Sequence, residues 1–466
     1  MKYKIKFIKG NENMNKGKMF SGYFFFLFFG EEKFMIQQKG SFKDVIVFGF
    51  ALFAMFFGAG NLIFPPYLGI ITGPEWLTGF AGFTFADAGL ALLAVMATAK
   101  YDGDIIALFR RAGGKLAIVL GCADILCIGP FLAIPRTGAT TYEMGIMPLL
   151  GNTIPIAVFA AIFFIITYVL TIKPSKVVDI VGRVLTPALL IALAVIIVKG
   201  VVSPLGPVVE EPMIEGVVAE GIAQGYQTMD AFAAIALASV LIVSLNEKGY
   251  NTVGDKLKAI MKSGVLACVG LALVYGGLCF LGATVSTMYG VDAQQSQVIV
   301  NITEGLLGQT GKMILAVCVS LACLTTSIGL TSATGQFFEK LSGGKLKYKT
   351  VVLAVCIFSA CMASIGVGGI IKVASPVLSI VYPPTIVLVI LAFFTEKIQN
   401  DNVYKFAVYT SLIVSILTVI QSYGVAMPFL DYLPLKEFGF NWVVPVIVAG
   451  LIGHFVPGKN SELETR

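Results

Sequence analysis

Two stretches have the residue types and spacing to bind charged groups inside apolar surroundings. In Ala54-Met55-Phe56-Phe57-Gly58-Ala59-Gly60-Asn61-Leu62-Ile63-Phe64-Pro65-Pro66, two glycines, an asparagine and a proline pair interrupt an apolar run from Val45 to Ile71. Glycine and proline are the poorest helix formers, and each proline removes a backbone donor. A helix broken here leaves unpaired N–H groups at the start of its second half, near Asn61, carrying the positive end of the helix dipole. They suit a carboxylate, and Gly58 and Gly60, on either side of Ala59, let it approach the backbone. The second stretch is Gly225-Tyr226-Gln227-Thr228-Met229-Asp230. Carbonyls freed near Gly225 suit an ammonium or another cation, and Asp230 either faces that ammonium or carries a coupling proton. A zwitterionic amino acid fits both ends, and Met55, Phe56, Phe57, Met229 and Phe232 favour an apolar side chain. The alternative for the first stretch is a glycine-rich helix contact face or a proline kink. Asp87 and Asp124 are the other acids within apolar spans, each either functional or capping a structural hydrogen-bond network.

The elements that must hold these residues are membrane helices. Of 466 residues, 57% are hydrophobic and only 13% charged, with a mean hydropathy of +0.88, whereas globular domains have about 25% charged residues. The chain reads as an all-α polytopic membrane protein with about twelve transmembrane helices. Its formal charge of +6 resides in loops and does not imply nucleic-acid binding. The eight cysteines lie in apolar spans; three pairs are five residues apart, so the partners diverge by about 140° around a helix, and they read as small buried hydrophobes. His454, at the end of the last span, reads as interfacial. Residues 1–34 form an extension rich in Lys, Asn and Phe whose apolar core, Tyr23 to Phe29, is too short to span. Its composition suggests AT-rich upstream DNA and natural initiation at Met35. Residues 41–457 read as one transporter domain and 458–466 as a polar tail. Lys and Arg concentrate in loops 2–3, 4–5, 6–7, 8–9 and 10–11, while the alternate loops hold Lys199, Lys312, Lys372 and Lys436, which places both termini in the cytoplasm.

The spans repeat. Thr137-Gly138-Ala139-Thr140 in span three (116–142) parallels Thr331-Ser332-Ala333-Thr334 in span eight (312–338), and Lys176-Val177 with Pro187 parallels Lys372-Val373 with Pro383. Span six (216–246), interrupted at 225–230, is the counterpart of span one (44–71). Repeat one (44–198) and repeat two (216–395) then hold five spans each, so the second enters the membrane inverted, with 405–457 adding two helices. Paired broken helices in inverted repeats mark the binding site of secondary transporters.

Gly58-Ala59-Gly60-Asn61-Leu62-Ile63-Phe64-Pro65-Pro66, Gly129-Pro130-Phe131-Leu132-Ala133-Ile134-Pro135-Arg136-Thr137-Gly138 and Gly225-Tyr226-Gln227-Thr228-Met229-Asp230 resemble the branched-chain amino acid:cation symporter family, the BrnQ-type carriers, from about Phe42 to the last span. That resemblance implies bacterial uptake of leucine, isoleucine and valine coupled to sodium or protons, on the inverted five-plus-five, LeuT-like fold with two added helices. The wider fold implies a sodium site of backbone carbonyls at Ala54, Phe57 and Ala322 with the hydroxyls of Thr325 and Thr326; the alternative is that these hydroxyls bond back to their own helix. Oxygen ligands of this kind suit sodium. A second ion site would use Asn61 and Thr228, but span seven (261–285) lacks the asparagine that the fold uses there. Arg136 is a candidate outer gate or a side chain snorkelling to the interface.

A nucleotide-driven pump is excluded: Gly311-Lys312 has Leu306 where a phosphate loop needs its first glycine and Met313 where it needs a hydroxyl. One histidine and scattered acids supply no nucleophile–base pair and no metal cluster, so no enzyme is expected. The expectation is a sodium-coupled symporter in the bacterial cytoplasmic membrane, with no cofactor and with leucine, isoleucine, valine, the coupling ion and lipid as its partners. No nucleic acid or obligatory protein partner is expected. The alternatives are proton coupling, or an amino-acid receptor on the same scaffold.

Overall fold

The structure, a computed structural model, describes residues 42–172 and 176–458, with side chains described throughout except at 176–188. The expected extension 1–34, residues 459–466 of the tail, and the side chains of Lys176, Val177 and Pro187 lie outside the described residues. All regular structure among the described residues is helical. Helix α1 (Phe42–Phe56) is followed after three residues by α2 (Gly60–Thr72), then by α3 (76–99), α4 (Gly114–Leu126), α5 (Ala133–Thr140), α6 (Ile156–Ile172) and α7 (Lys176–Val202). The second half comprises α8 (Val217–Thr228), α9 (Asp230–Glu247), α10 (Val253–Ala283), α11 (Gln295–Leu341), α12 (Tyr348–Ala363), α13 (Gly366–Ala392), α14 (Asp401–Ser422) and α15 (Val443–Phe455).

Among the described residues, seven helical segments are long and apolar enough to cross a membrane, and four further apolar helices are shorter. Several depart from regular geometry. The segment from Gly60 to Ala99 changes direction at Gly73 (φ 51°), and α11 does so at Gly308 (φ 66°). The expected spans therefore do not correspond one-to-one with uninterrupted helices. The stretch Ser296 to Leu307 forms the first arm of α11, ahead of Gly308. Pro65 and Pro66 lie within α2 and do not end it.

The two halves of the chain pair in a matching, exchanged way. The halves of span one, α1 and α2, lie along α10, while the halves of span six, α8 and α9, lie along α3. Glycine makes both crossings close. A Cβ on Gly69 would sit 1.9 Å from the Cys279 carbonyl oxygen, and one on Gly282 would sit 1.9 Å from that of Pro66. At the counterpart crossing, a Cβ on Gly221 would lie 2.2 Å from the Gly79 oxygen, and one on Gly225 2.8 Å from the Phe83 oxygen. Backbone-to-backbone approach of this kind is how helices associate where no aqueous hydrophobic effect drives them. The ring of Tyr382 on α13 stacks on Tyr226 of α8 at 4.3 Å and on Phe232 of α9 at 4.2 Å, so one residue braces both halves of span six. Away from the centre, buried Arg111 pairs with Asp401 at 2.7 Å and lies over Tyr404.

Candidate functional site

At the first break, Phe57, Gly58 and Ala59 lie between α1 and α2. Asn61 organises it. Its Oδ1 accepts the Gly58 amide at 2.9 Å, an amide that a continuous helix would donate to the carbonyl of Ala54. The Ala54 carbonyl is thereby released at the end of α1. The amides of Ala59 and Gly60 have no partner among the described residues. Asn61 Nδ2 donates to Asp230 Oδ2 at 2.8 Å and to the Tyr275 hydroxyl.

The second break is a single residue, Met229, in the left-handed conformation at φ 64°. Helix α8 continues through Gly225 to Thr228, so the expected opening near Gly225 is displaced by one turn. Gly225 instead permits contact with α3, and Tyr226 stacks on Tyr382. Thr228 Oγ1 donates to Asp87 Oδ1 at 2.6 Å. Asp87 lies on a π-helical turn, Phe85–Gly89, and its carboxyl also faces Asp230 and Tyr275. Asn61, Asp87, Thr228, Asp230 and Tyr275 thus form one buried polar cluster linking both breaks to α3 and α10.

Arg136 comes to the same place from α5 and is only 3% exposed. Nη1 donates to the carbonyl of Gln227 and Nη2 to that of Thr228, at 3.2 Å, and the guanidinium lies over the Phe64 ring. The carbonyls expected to be free for a substrate ammonium are therefore held by Arg136. Burial among these groups also separates Arg136 from a side chain snorkelling to the interface. The Gln227 side chain does not line the cavity, and its Oε1 is buried without a partner.

A single cavity collects most of the residues singled out by sequence. Ala54, Phe57, Gly58, Ala59 and Gly60 line it from the first break, Thr228, Met229 and Asp230 from the second. Arg136, Thr137, Thr325 and Thr326 are further polar residues of its wall, while Met55, Ile128, Ala133, Leu237 and Leu330 are among its apolar surfaces. Asn61 stands behind the cavity rather than in its wall. Ala322 accepts Thr325 Oγ1 at 2.9 Å, so this hydroxyl bonds back to its own helix while remaining at the wall with Thr326, Ala54 and Phe57. Asp124 is fully buried and neither of its oxygens has a hydrogen-bond partner, so it caps no network among the described residues.

Residues 41–460 match a family model described as "Branched-chain amino acid transport protein". The chain is 37% identical over 424 residues to the branched-chain amino acid permease BraB of Bacillus subtilis (strain 168), covering 88% of this chain and 95% of that protein. It is 32% identical over 436 residues to the branched-chain amino acid permease BrnQ of the same organism, covering 90% and 98%. Among solved structures it is similar to Mhp1, a nucleobase-cation-symport-1 family transporter, in a closed conformation with bromovinylhydantoin bound, with a TM-score of 0.56 and 16% identity over 87% of this chain and 91% of that one. At that identity the likeness speaks to fold alone, and the fold is the LeuT-like arrangement that the family resemblance implies.

Proposed function

Because the chain belongs to the branched-chain amino acid transport protein family, we propose that it is a sodium-coupled symporter importing leucine, isoleucine and valine across the bacterial cytoplasmic membrane, with both termini cytoplasmic. It is a multi-pass membrane transporter and not an enzyme. The observation that carries the proposal is the cavity between the two breaks. Its wall combines the uncommitted amides of Ala59 and Gly60, suited to a carboxylate, with the Asp230 carboxyl, suited to an ammonium, and an apolar remainder suited to a branched side chain. Sodium is favoured by the Thr325 and Thr326 hydroxyls, which share this wall with Ala54 and Phe57. Asn61 diverts the Gly58 amide and leaves the Ala54 carbonyl available as a hard oxygen ligand.

The test is uptake into proteoliposomes. Radiolabelled leucine accumulates under an inward sodium gradient, unlabelled isoleucine and valine compete, and arginine and glutamate do not. Equilibrium binding without uptake would indicate a receptor instead. A second reading, proton coupling, draws on the Asp87–Asp230 pair, since two buried carboxyls facing each other offer a place for one proton. Under that reading choline replaces sodium without loss and a protonophore stops uptake.

A further inference from the structure

We propose that Arg136 is the carboxylate-binding residue of the cavity, acting with the Ala59 and Gly60 amides as one anion subsite. This rests on the amino-acid reading above and adds the group that decides which amino-acid derivatives are accepted. A guanidinium has five N–H donors. Arg136 commits one from Nη1 to Gln227 and one from Nη2 to Thr228, while Nε has no partner although the side chain is 3% exposed. Three donors remain uncommitted. No carboxylate lies within ion-pair distance of Arg136 among the described residues. The guanidinium flanks the amino end of α2 closely: a Cβ on Gly60 would lie 2.9 Å from Nη2. The start of a helix and an under-committed arginine therefore converge on one side of the cavity. A planar fork of donors matches a carboxylate in two hydrogen bonds at once. The two carbonyl contacts fix the guanidinium plane in advance, so little side-chain freedom is lost on binding. Asp230, which also lines the cavity, is left for the ammonium.

Competition binding with the purified full chain and radiolabelled leucine tests this, using leucinamide, which keeps the ammonium and side chain but has a neutral amide in place of the carboxylate. The wild-type protein binds leucine on the order of 10- to 100-fold more tightly than leucinamide, the worth of a charge-assisted contact. Arg136→Gln weakens leucine by a similar factor and changes leucinamide binding about 3-fold or less. Equal losses for both ligands would overturn the proposal, leaving Arg136 as a brace for the end of α8. Should Arg136→Gln fail to fold, the wild-type comparison still decides, because leucinamide competing as well as leucine overturns the proposal without any variant. Arg136→Lys keeps the charge without the fork and gives an intermediate loss for leucine alone. Wild-type protein that binds no branched-chain amino acid at all defeats the parent reading, and this proposal with it.

Discussion

The side-chain amide of Asn61 donates to the carboxylate of Asp230 at 2.8 Å, joining the break in span one to the break in span six across 169 residues of sequence. The same side chain accepts the Gly58 amide and donates to Tyr275. Asn61→Ala would leave the Gly58 amide and the Asp230 carboxylate without these partners, each at about 1–3 kcal/mol. The expected outcome is a lower unfolding temperature in detergent together with loss of leucine binding. Tyr275→Phe removes one contact and should do much less. An Asn61→Ala protein with unchanged thermal stability would show that the two breaks are held by other contacts.

Substitution at Gly60 tests the steric side of the anion subsite. An added Cβ would meet Arg136 Nη2 at 2.9 Å and Phe64 at 3.1 Å, so Gly60→Ala must displace the guanidinium. Leucine affinity should fall at least about 10-fold, corresponding to about 1.4 kcal/mol. Gly254→Ala, on the first turn of α10 with nothing within 4 Å, is the control and should bind normally. Equal affinities for the two variants would place the carboxylate elsewhere.

Thr325→Val separates the coupling models. It keeps nearly the same volume and removes only the hydroxyl that meets the Ala322 carbonyl at the cavity wall. Under sodium coupling the sodium concentration for half-maximal uptake rises by about 10-fold, from the loss of one ligand oxygen worth about 1–3 kcal/mol. Asp230→Asn in that case weakens leucine binding without altering the ion requirement. Full concentrative uptake in sodium-free buffer driven by a pH gradient would decide for protons.

Asp401→Ala removes the carboxylate partner of Arg111, a residue whose Nη1 and Nη2 are already buried without partners. Removing one member of a buried ion pair typically costs about 3–5 kcal/mol. This variant should express poorly or unfold at markedly lower temperature, and any protein that does fold should retain its leucine affinity, since the pair does not line the cavity.

Asp124→Asn should leave thermal stability close to wild type, because the carboxyl it replaces makes no hydrogen bond among the described residues. Unfolding temperature and leucine uptake are measured side by side. A drop in stability would reveal a contact that depends on the acid, whereas a loss of uptake at unchanged stability would assign Asp124 a role in transport.

The first break was legible because Gly58 and Gly60, poor helix formers, sit beside the polar Asn61 inside an apolar run, and their position survives in the structure. The second was legible only to within a turn. Gly225 looked like the breaker, yet it serves close contact with α3, and the left-handed residue is Met229, a type with no local preference for that conformation. The membership of Asp87 and Tyr275 in the polar cluster was not legible. A π-helical turn has no sequence marker in Phe85–Gly89, and nothing in the sequence around Tyr275 distinguishes a tyrosine that reaches Asn61 from one that only packs. From sequence Arg136 reads as an outer gate or a snorkelling side chain; only the fold brings it against α2 and the end of α8.

The two breaks differ in length, three residues between α1 and α2 against one between α8 and α9. With two soft torsions per residue, the first joint has roughly six rotatable backbone angles and the second two. Bending at the first can be shared out, so α1 and α2 have several routes between any two relative orientations. At the second, α9 turns against α8 about a pin at Met229, and the stacked ring of Tyr382 leaves that pin little lateral play. Distance labels across the first joint should therefore report a broad distribution, and labels across the second a narrow one that shifts as a whole.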